Sequence, residues 1–216
     1  MTDGTASSKP GYAPVIGLIV LTYVLATSVS ERVGVALVLV VQIGTVWYVL
    51  RLASIRLRLR RAATAVFALA LVAAAGALAS PANWLIGLTF LAGCVLYAIA
   101  PAAIVADVAR RAVDRELLLG ALAAYLMLDM AFGLAYRCVA LFQPGPFFTD
   151  AGEATLPDAL FFSFVTLTTT GYGDLVPAAN PGRSLAVLEA LTGQLFLVTA
   201  VAKVIEAWRP RRRPRR

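Results

Sequence analysis

Histidine is absent from the 216 residues, and only two cysteines are present, Cys94 and Cys138. A histidine metal site and a histidine general base are therefore excluded. Both cysteines fall inside apolar runs, where they are expected to be small buried hydrophobes rather than redox or metal groups. Charge is scarce too: 14% of residues are charged against 60% hydrophobic, at a mean hydropathy of +0.82. Soluble domains carry nearer a quarter charged residues, and one of this length could not hide so much apolar surface. An integral membrane protein is what remains. The apolar runs are continuous and rich in Ala, Leu and Val, which argues against an alternating membrane barrel and for an all-α protein.

Apolar runs of about 17–25 residues predict six membrane helices. They lie at Tyr12–Val29, Arg32–Leu50, Ala62–Ala79, Asn83–Ala106, Leu117–Phe142 and Arg183–Trp208. Only Lys9 precedes the first run, and no small-residue cleavage site follows it, so it is expected to be a retained helix. Arginines orient the bundle. One set of connections holds Arg51, Arg56, Arg58, Arg60 and Arg61, then Arg110, Arg111 and Arg115, then Arg209, Arg211, Arg212, Arg213, Arg215 and Arg216. The other side holds Arg32 and Arg183, with Arg137 inside the end of the fifth run. Both termini are thus expected in the cytoplasm of a multi-pass protein of the cell membrane.

The connection from Gln143 to Pro181 departs from the apolar pattern. It opens on the turn-rich Gln143-Pro144-Gly145-Pro146 and continues through Asp150, Gly152 and Glu153. A short amphipathic helix is expected from Leu156 to Thr168, with Pro157 in its first turn and Asp158 favourable at its positive end. Thr168-Thr169-Thr170-Gly171-Tyr172-Gly173-Asp174 follows, and then Leu175-Val176-Pro177. A helix too short to span, followed by glycine-rich irregular backbone, predicts a re-entrant loop surrounded by protein or a water-filled path.

Thr169-Thr170-Gly171-Tyr172-Gly173-Asp174, preceded by Ala159-Leu160-Phe161-Phe162-Ser163-Phe164-Val165-Thr166-Leu167-Thr168, resembles the potassium channel family. The resemblance runs through span six and covers about residues 117–208. It implies a pore helix and a selectivity filter in which carbonyls of Thr169, Thr170, Gly171 and Tyr172 replace the water of a K+ ion, with the Thr169 hydroxyl adding the innermost oxygens. Gly171 and Gly173 suit the backbone that such stacking needs. Tyr172 is expected to point away from the ion and pack against the pore helix, and Thr170 to turn its side chain from the ion. The chain has one such loop and no internal repeat of spans five and six, so a homotetramer is expected. Asp150, Glu153, Asp158 and Asp174 would make the outer mouth acidic and concentrate cations, although Asp150 and Glu153 equally suit a solvated loop.

The sequence also departs from the family pattern. Phe161 and Phe162 replace aromatic residues with a donor N–H, and phenylalanine cannot donate to the Tyr172 hydroxyl. Val165 stands where some bacterial members carry a buried carboxylate, so no pairing with Asp174 is expected there. Span six is the inner helix by resemblance. Gly193 is either a hinge or a site of close packing, and Val198, Val201, Ala202 and Ile205 are expected to narrow the cytoplasmic mouth.

Asp129, Arg137 and Glu189 lie within the apolar layer, where ionisable groups are usually paired or functional. Arg137 and Glu189 each stand about five or six residues, roughly 8 Å, from the outer end of their helices, which makes them a candidate ion pair. Asp129 lies near mid-membrane and is expected to be neutral, bonded to Thr192 or Gln194. All three are expected to hold helices together rather than to touch the ion.

Six spans with the pore last copy a voltage-gated layout, yet Asn83–Ala106 contains no lysine or arginine. The expected organisation is a cytoplasmic tail (1–11), a sensor-like bundle without gating charges (12–106), an interfacial linker helix (107–116), a pore domain (117–208) and a basic tail (209–216) that attracts anionic lipid. The reading is a passive potassium channel, not an enzyme, with no cofactor beyond the permeant K+ and no nucleic-acid partner. A non-selective cation channel, or a transport or regulatory subunit retaining the loop, is the alternative.

Overall fold

The computed structural model describes residues 11–28, 31–52, 57–79, 83–108, 114–149 and 154–208. They form seven helices: α1 (Ala13–Ser28), α2 (Glu31–Leu52), α3 (Leu57–Ala79), α4 (Asn83–Val108), α5 (Arg115–Phe142), α6 (Leu156–Leu167) and α7 (Gly182–Trp208). Among the described residues, three stretches are long and apolar enough to cross a membrane: Asn83–Val105, Arg115–Phe142 and Gly182–Lys203. Ala13–Ser28, Leu37–Leu52, Ala63–Ala73 and Leu156–Leu167 are shorter apolar helices.

The helix positions follow the apolar runs closely, with one instructive difference. The third helix starts at Leu57, not Ala62, so Arg58, Arg60 and Arg61 belong to α3 rather than to a loop. Arginine and leucine are both good helix formers, and a hydropathy window stops at charge where the backbone does not. Positions 107 and 108 complete α4, and 115 and 116 open α5. Asp114 caps α5, and 109–113 of the expected linker helix lie outside the described residues, as do Asp150, Glu153 and the basic tail 209–216.

Helix α5 is the hub, packed by α1, α4, α6 and α7. Its buried side includes Gly120, Ala123, Ala124, Ala131 and Gly133, small residues that let helices approach closely. A Cβ on Gly133 would stand 2.6 Å from Cδ2 of Leu160 and 3.1 Å from its Cα, so α6 lies directly on the α5 backbone there. Met127, Met130, Leu134, Leu96, Tyr97 and Ile104 form the centre of the core.

The ends of the bundle are tied by polar contacts. The Tyr12 amide donates to Glu116 Oε2 at 2.9 Å, and the Tyr48 hydroxyl donates to the Gly11 carbonyl at 3.2 Å. Asp114 caps α5 by accepting from the Leu117 amide at 2.8 Å. At the opposite end the Phe142 ring lies against Gly87, and the Cys138 thiol donates to the Gly87 carbonyl at 3.5 Å. These ties make α4 and α5 antiparallel neighbours.

Candidate ion-conduction site

The site is built from α6 outward. Thr155 and Asp158 form a reciprocal capping box: each side chain accepts from the other's backbone N–H, at 3.3 and 3.0 Å. Pro157 stands in the first turn, where its missing N–H costs nothing. The helix then runs to Leu167 and stops where three threonines begin, β-branched residues of lower helix propensity.

Beyond it the chain doubles back on the helix end. The amide of Thr169 donates to the Thr166 carbonyl at 3.0 Å. Those of Thr170 and Gly171 both donate to the Val165 carbonyl, at 2.9 and 3.2 Å. The Thr168 hydroxyl donates to the Phe164 carbonyl at 2.5 Å and lies 2.9 Å from the Thr170 hydroxyl. The φ angles are positive at Thr169 (59°), Gly171 (58°) and Gly173 (81°), and at neither Thr170 nor Tyr172. Backbone that alternates in hand turns successive N–H groups to one side, and across trans peptides the carbonyls turn to the other.

Accounting for the backbone groups makes the loop unusual. Its first three amides are taken by α6 carbonyls, yet among the described residues nothing donates to the carbonyls of Thr169, Thr170, Gly171 or Tyr172. Residues 168–174 are all exposed in the isolated chain. A row of accessible oxygens, with the amides of Thr169, Thr170 and Gly171 already anchored, suits a cation.

Other contacts steady this loop. Thr149 and Ala178 donate their amides to Val176 and Phe147 carbonyls, at 3.0 and 2.8 Å, and so pair 147–149 with 176–178. Arg183 Nε donates to the Pro177 carbonyl at 3.0 Å. The Tyr172 ring stacks on Phe161, with centroids 6.1 Å apart and planes 4° from parallel, but remains 71% exposed. Phe162 faces elsewhere, edge-on to Tyr136 and Phe148 at 4.9 and 5.3 Å. Adjacent helical residues point about 100° apart, so only one of the two phenylalanines reaches the tyrosine. Val165 contributes its carbonyl rather than its side chain, and Asp174 is exposed.

Two further expectations are revised. Glu189 is fully buried, and its carboxyl takes Tyr136 Oη at 2.5 Å and Ser163 Oγ at 2.5 Å. Tyr136, one residue before Arg137, therefore stands where the ion-pair partner was expected, and the Arg137 guanidinium instead lies 5.8 Å from the Phe90 ring centre of α4. Equal depth matched the two charged residues, but α5 presents the neighbouring face to α7. Asp129 is also fully buried, yet neither of its carboxylate oxygens has a hydrogen-bond partner among the described residues. Its expected partners are turned away: Thr192 donates to the Leu188 carbonyl at 2.6 Å, and Gln194 is exposed.

Along α7, Gly193 packs against the end of α6, where a Cβ would lie 2.7 Å from the Leu167 carbonyl oxygen. Tyr125 of α5 donates to that same carbonyl at 3.0 Å. Val198, Val201, Ala202 and Ile205 are exposed, part of an apolar run that the isolated chain leaves uncovered. Sequence reasoning missed Ser163, Tyr136 and Tyr125. A hydroxyl in an otherwise apolar helix was the available signal.

Residues 124–209 match the family described as ion channel. The chain is 36% identical over 80 residues to an inward rectifier potassium channel of Paramagnetospirillum magnetotacticum, covering 37% of this chain and 25% of that one. It is 35% identical over 72 residues to potassium voltage-gated channel subfamily A member 2 of Xenopus laevis, covering 31% and 14%. The same identity and length relate it to subfamily A member 4 of Homo sapiens, covering 31% and 11%. The chain thus spans a quarter or less of the length of each of these relatives. No solved structure matches. Through the stretch that carries the loop and α7, this chain is similar to ion channels, potassium channels among them.

Proposed function

We propose that the protein conducts K+ passively and selectively through a tetrameric pore whose filter is Thr169, Thr170, Gly171, Tyr172 and Gly173. The observation that carries this reading is the loop's asymmetry: amides of Thr169, Thr170 and Gly171 anchored to α6, carbonyls of 169–172 without donors among the described residues, and left-handed backbone at every second residue. Such oxygens replace hydration water when several copies converge. One chain supplies one loop, and α7 leaves Val187, Leu191, Leu195 and Val198 exposed, as an inner helix flanked by other copies would. In this reading α1–α5 and α7 span the cell membrane, both termini are cytoplasmic, and α6 is the pore helix. Val198, Val201, Ala202 and Ile205 narrow the inner mouth, and the arginines of 209–216 meet anionic lipid. No catalysis and no bound cofactor are required.

The test is the reversal potential of the purified protein in planar bilayers under opposed K+ and Na+ gradients. It is expected to follow the K+ equilibrium potential, with the particle sized as a tetramer. A reversal potential near zero would favour the second reading, a non-selective cation channel. That alternative draws on one observation: Tyr172 is 71% exposed and stacks on a phenylalanine that offers it no donor.

Voltage dependence is expected to be shallow. Each charge crossing the field contributes about 2.3 kcal/mol per 100 mV, and three or four per subunit underlie steep gating. Helix α4 contains no lysine or arginine, and Arg51, at the end of α2, lies 3.5 Å over the Trp47 ring. Conductance against voltage in symmetrical K+ should therefore correspond to about one effective charge or fewer per channel. A steep sigmoid would mean that the arginines from 51 to 61 enter the field.

A further inference from the structure

Two hydrogen-bonded mounts hold α6, at Ser163 and at Leu167, two positions either side of Val165, whose carbonyl anchors the loop. One mount is Ser163, whose hydroxyl lies 2.5 Å from Glu189 Oε1 of α7 and 2.7 Å from the Asp129 carbonyl of α5. Tyr136, also of α5, completes it by donating to Glu189 Oε2 at 2.5 Å. The other mount is Leu167, whose carbonyl takes the Tyr125 hydroxyl at 3.0 Å and sits against Gly193. Val165 stands between the two, and its carbonyl holds the amides of Thr170 and Gly171. The positions of these carbonyl-bearing residues therefore depend on where α6 stands between α5 and α7. Every group in the first mount is buried, so its hydrogen bonds face no competition from water.

We infer that Glu189 is a positioning residue for ion selectivity: its carboxyl bridges Ser163 and Tyr136 and so sets the height of α6 beneath the filter. The inference rests on the potassium-selective reading above. Glu189 does not touch the ion; it acts through Ser163, the α6 backbone and the Val165 carbonyl. A pore of several oxygens discriminates between ions by their number and placement, so a displaced α6 relaxes discrimination before it stops conduction.

The hydrogen-bond inventory also says which substitution should be tolerated. Ser163 has one hydroxyl proton and faces two oxygens, at Asp129 and Glu189. Glutamine at 189 accepts from Tyr136 through Oε1 and donates to Ser163 through Nε2, which frees the serine proton for the Asp129 carbonyl. Glu189→Gln should therefore keep the bridge, while Glu189→Ala and Ser163→Ala break it.

The experiment measures reversal potentials of wild-type, Glu189→Ala, Ser163→Ala, Tyr136→Phe and Glu189→Gln channels in opposed K+ and Na+ gradients. Reversal potential is independent of how many channels survive, so a loss of folded protein alone does not move it. The Na+ to K+ permeability ratio is expected to rise about tenfold in Glu189→Ala and Ser163→Ala, the factor that about 1.4 kcal/mol of discrimination represents. Tyr136→Phe should give a smaller rise of the same sign, and Glu189→Gln should stay near wild type. If Glu189→Ala does not assemble, Tyr136→Phe and Ser163→Ala decide the matter. A selective wild type with unchanged ratios in these variants would overturn the positioning role and leave the filter reading standing. A non-selective wild type would instead overturn the filter reading, and the positioning role with it.

Discussion

Gly173→Ala is expected to abolish K+ flux while leaving the assembled protein intact. Gly173 has φ +81°, and a Cβ built there meets nothing within 4 Å. The substitution is thus harmless by volume and harmful only by backbone angle. Left-handed backbone costs an L residue about 1–2 kcal/mol, so the four copies of the proposed tetramer would accumulate about 4–8 kcal/mol. The loop can relieve that strain by turning the 172–173 peptide, because it is exposed and holds no hydrogen bond through that carbonyl among the described residues. A turned peptide removes an oxygen from the row. Flux of K+ into proteoliposomes, read beside the size of the detergent-purified particle, checks both halves of the expectation. Selective flux at the wild-type level would remove 169–173 from the conduction path.

Gly193→Ala is expected to destabilise the protein through contact rather than through backbone freedom. The new Cβ would lie 2.7 Å from the Leu167 carbonyl oxygen and 2.8 Å from Leu167 Cδ1. The first is backbone and cannot swing aside, so α6 and α7 must separate at the end of α6. Overpacking of this kind costs about 1–3 kcal/mol, and here it also strains the Tyr125 bond to the same carbonyl. A lower thermal midpoint of the purified protein is the expected readout. If Gly193 serves instead as a hinge, the midpoint would hold steady while open probability falls, because only bending would be impaired.

Much of this was legible from the chain alone. Among the described residues, apolar runs located α1–α5 and α7 to within about five residues, since an apolar helix needs continuous apolar sequence whichever face it buries. The largest difference, at the start of α3, arose because Leu57 and Leu59 are interleaved with arginines that a helix accepts and a hydropathy window rejects. The loop was legible because its glycines are spaced two apart, and both have positive φ. Thr169 was not, since nothing in a threonine announces a φ of 59°; its own bond to Thr166 and those of Thr170 and Gly171 to Val165 impose it.

What the chain determined by itself is the order of the described helices and the place of the glycine-spaced loop, to whose carbonyls nothing donates among the described residues. Those properties are local, set by hydropathy over about twenty residues and by backbone freedom at single glycines. Only the tertiary structure decided which side chains meet. Arg137 and Glu189 share a depth, yet Tyr136 receives the carboxyl, and Phe161 stacks on Tyr172 while Phe162 joins Tyr136. The choice in each case turns on the rotation of a helix about its own axis, about 100° per residue. That rotation is set where small residues meet a neighbouring helix, at Gly133 on Leu160 and at Gly193 on Leu167.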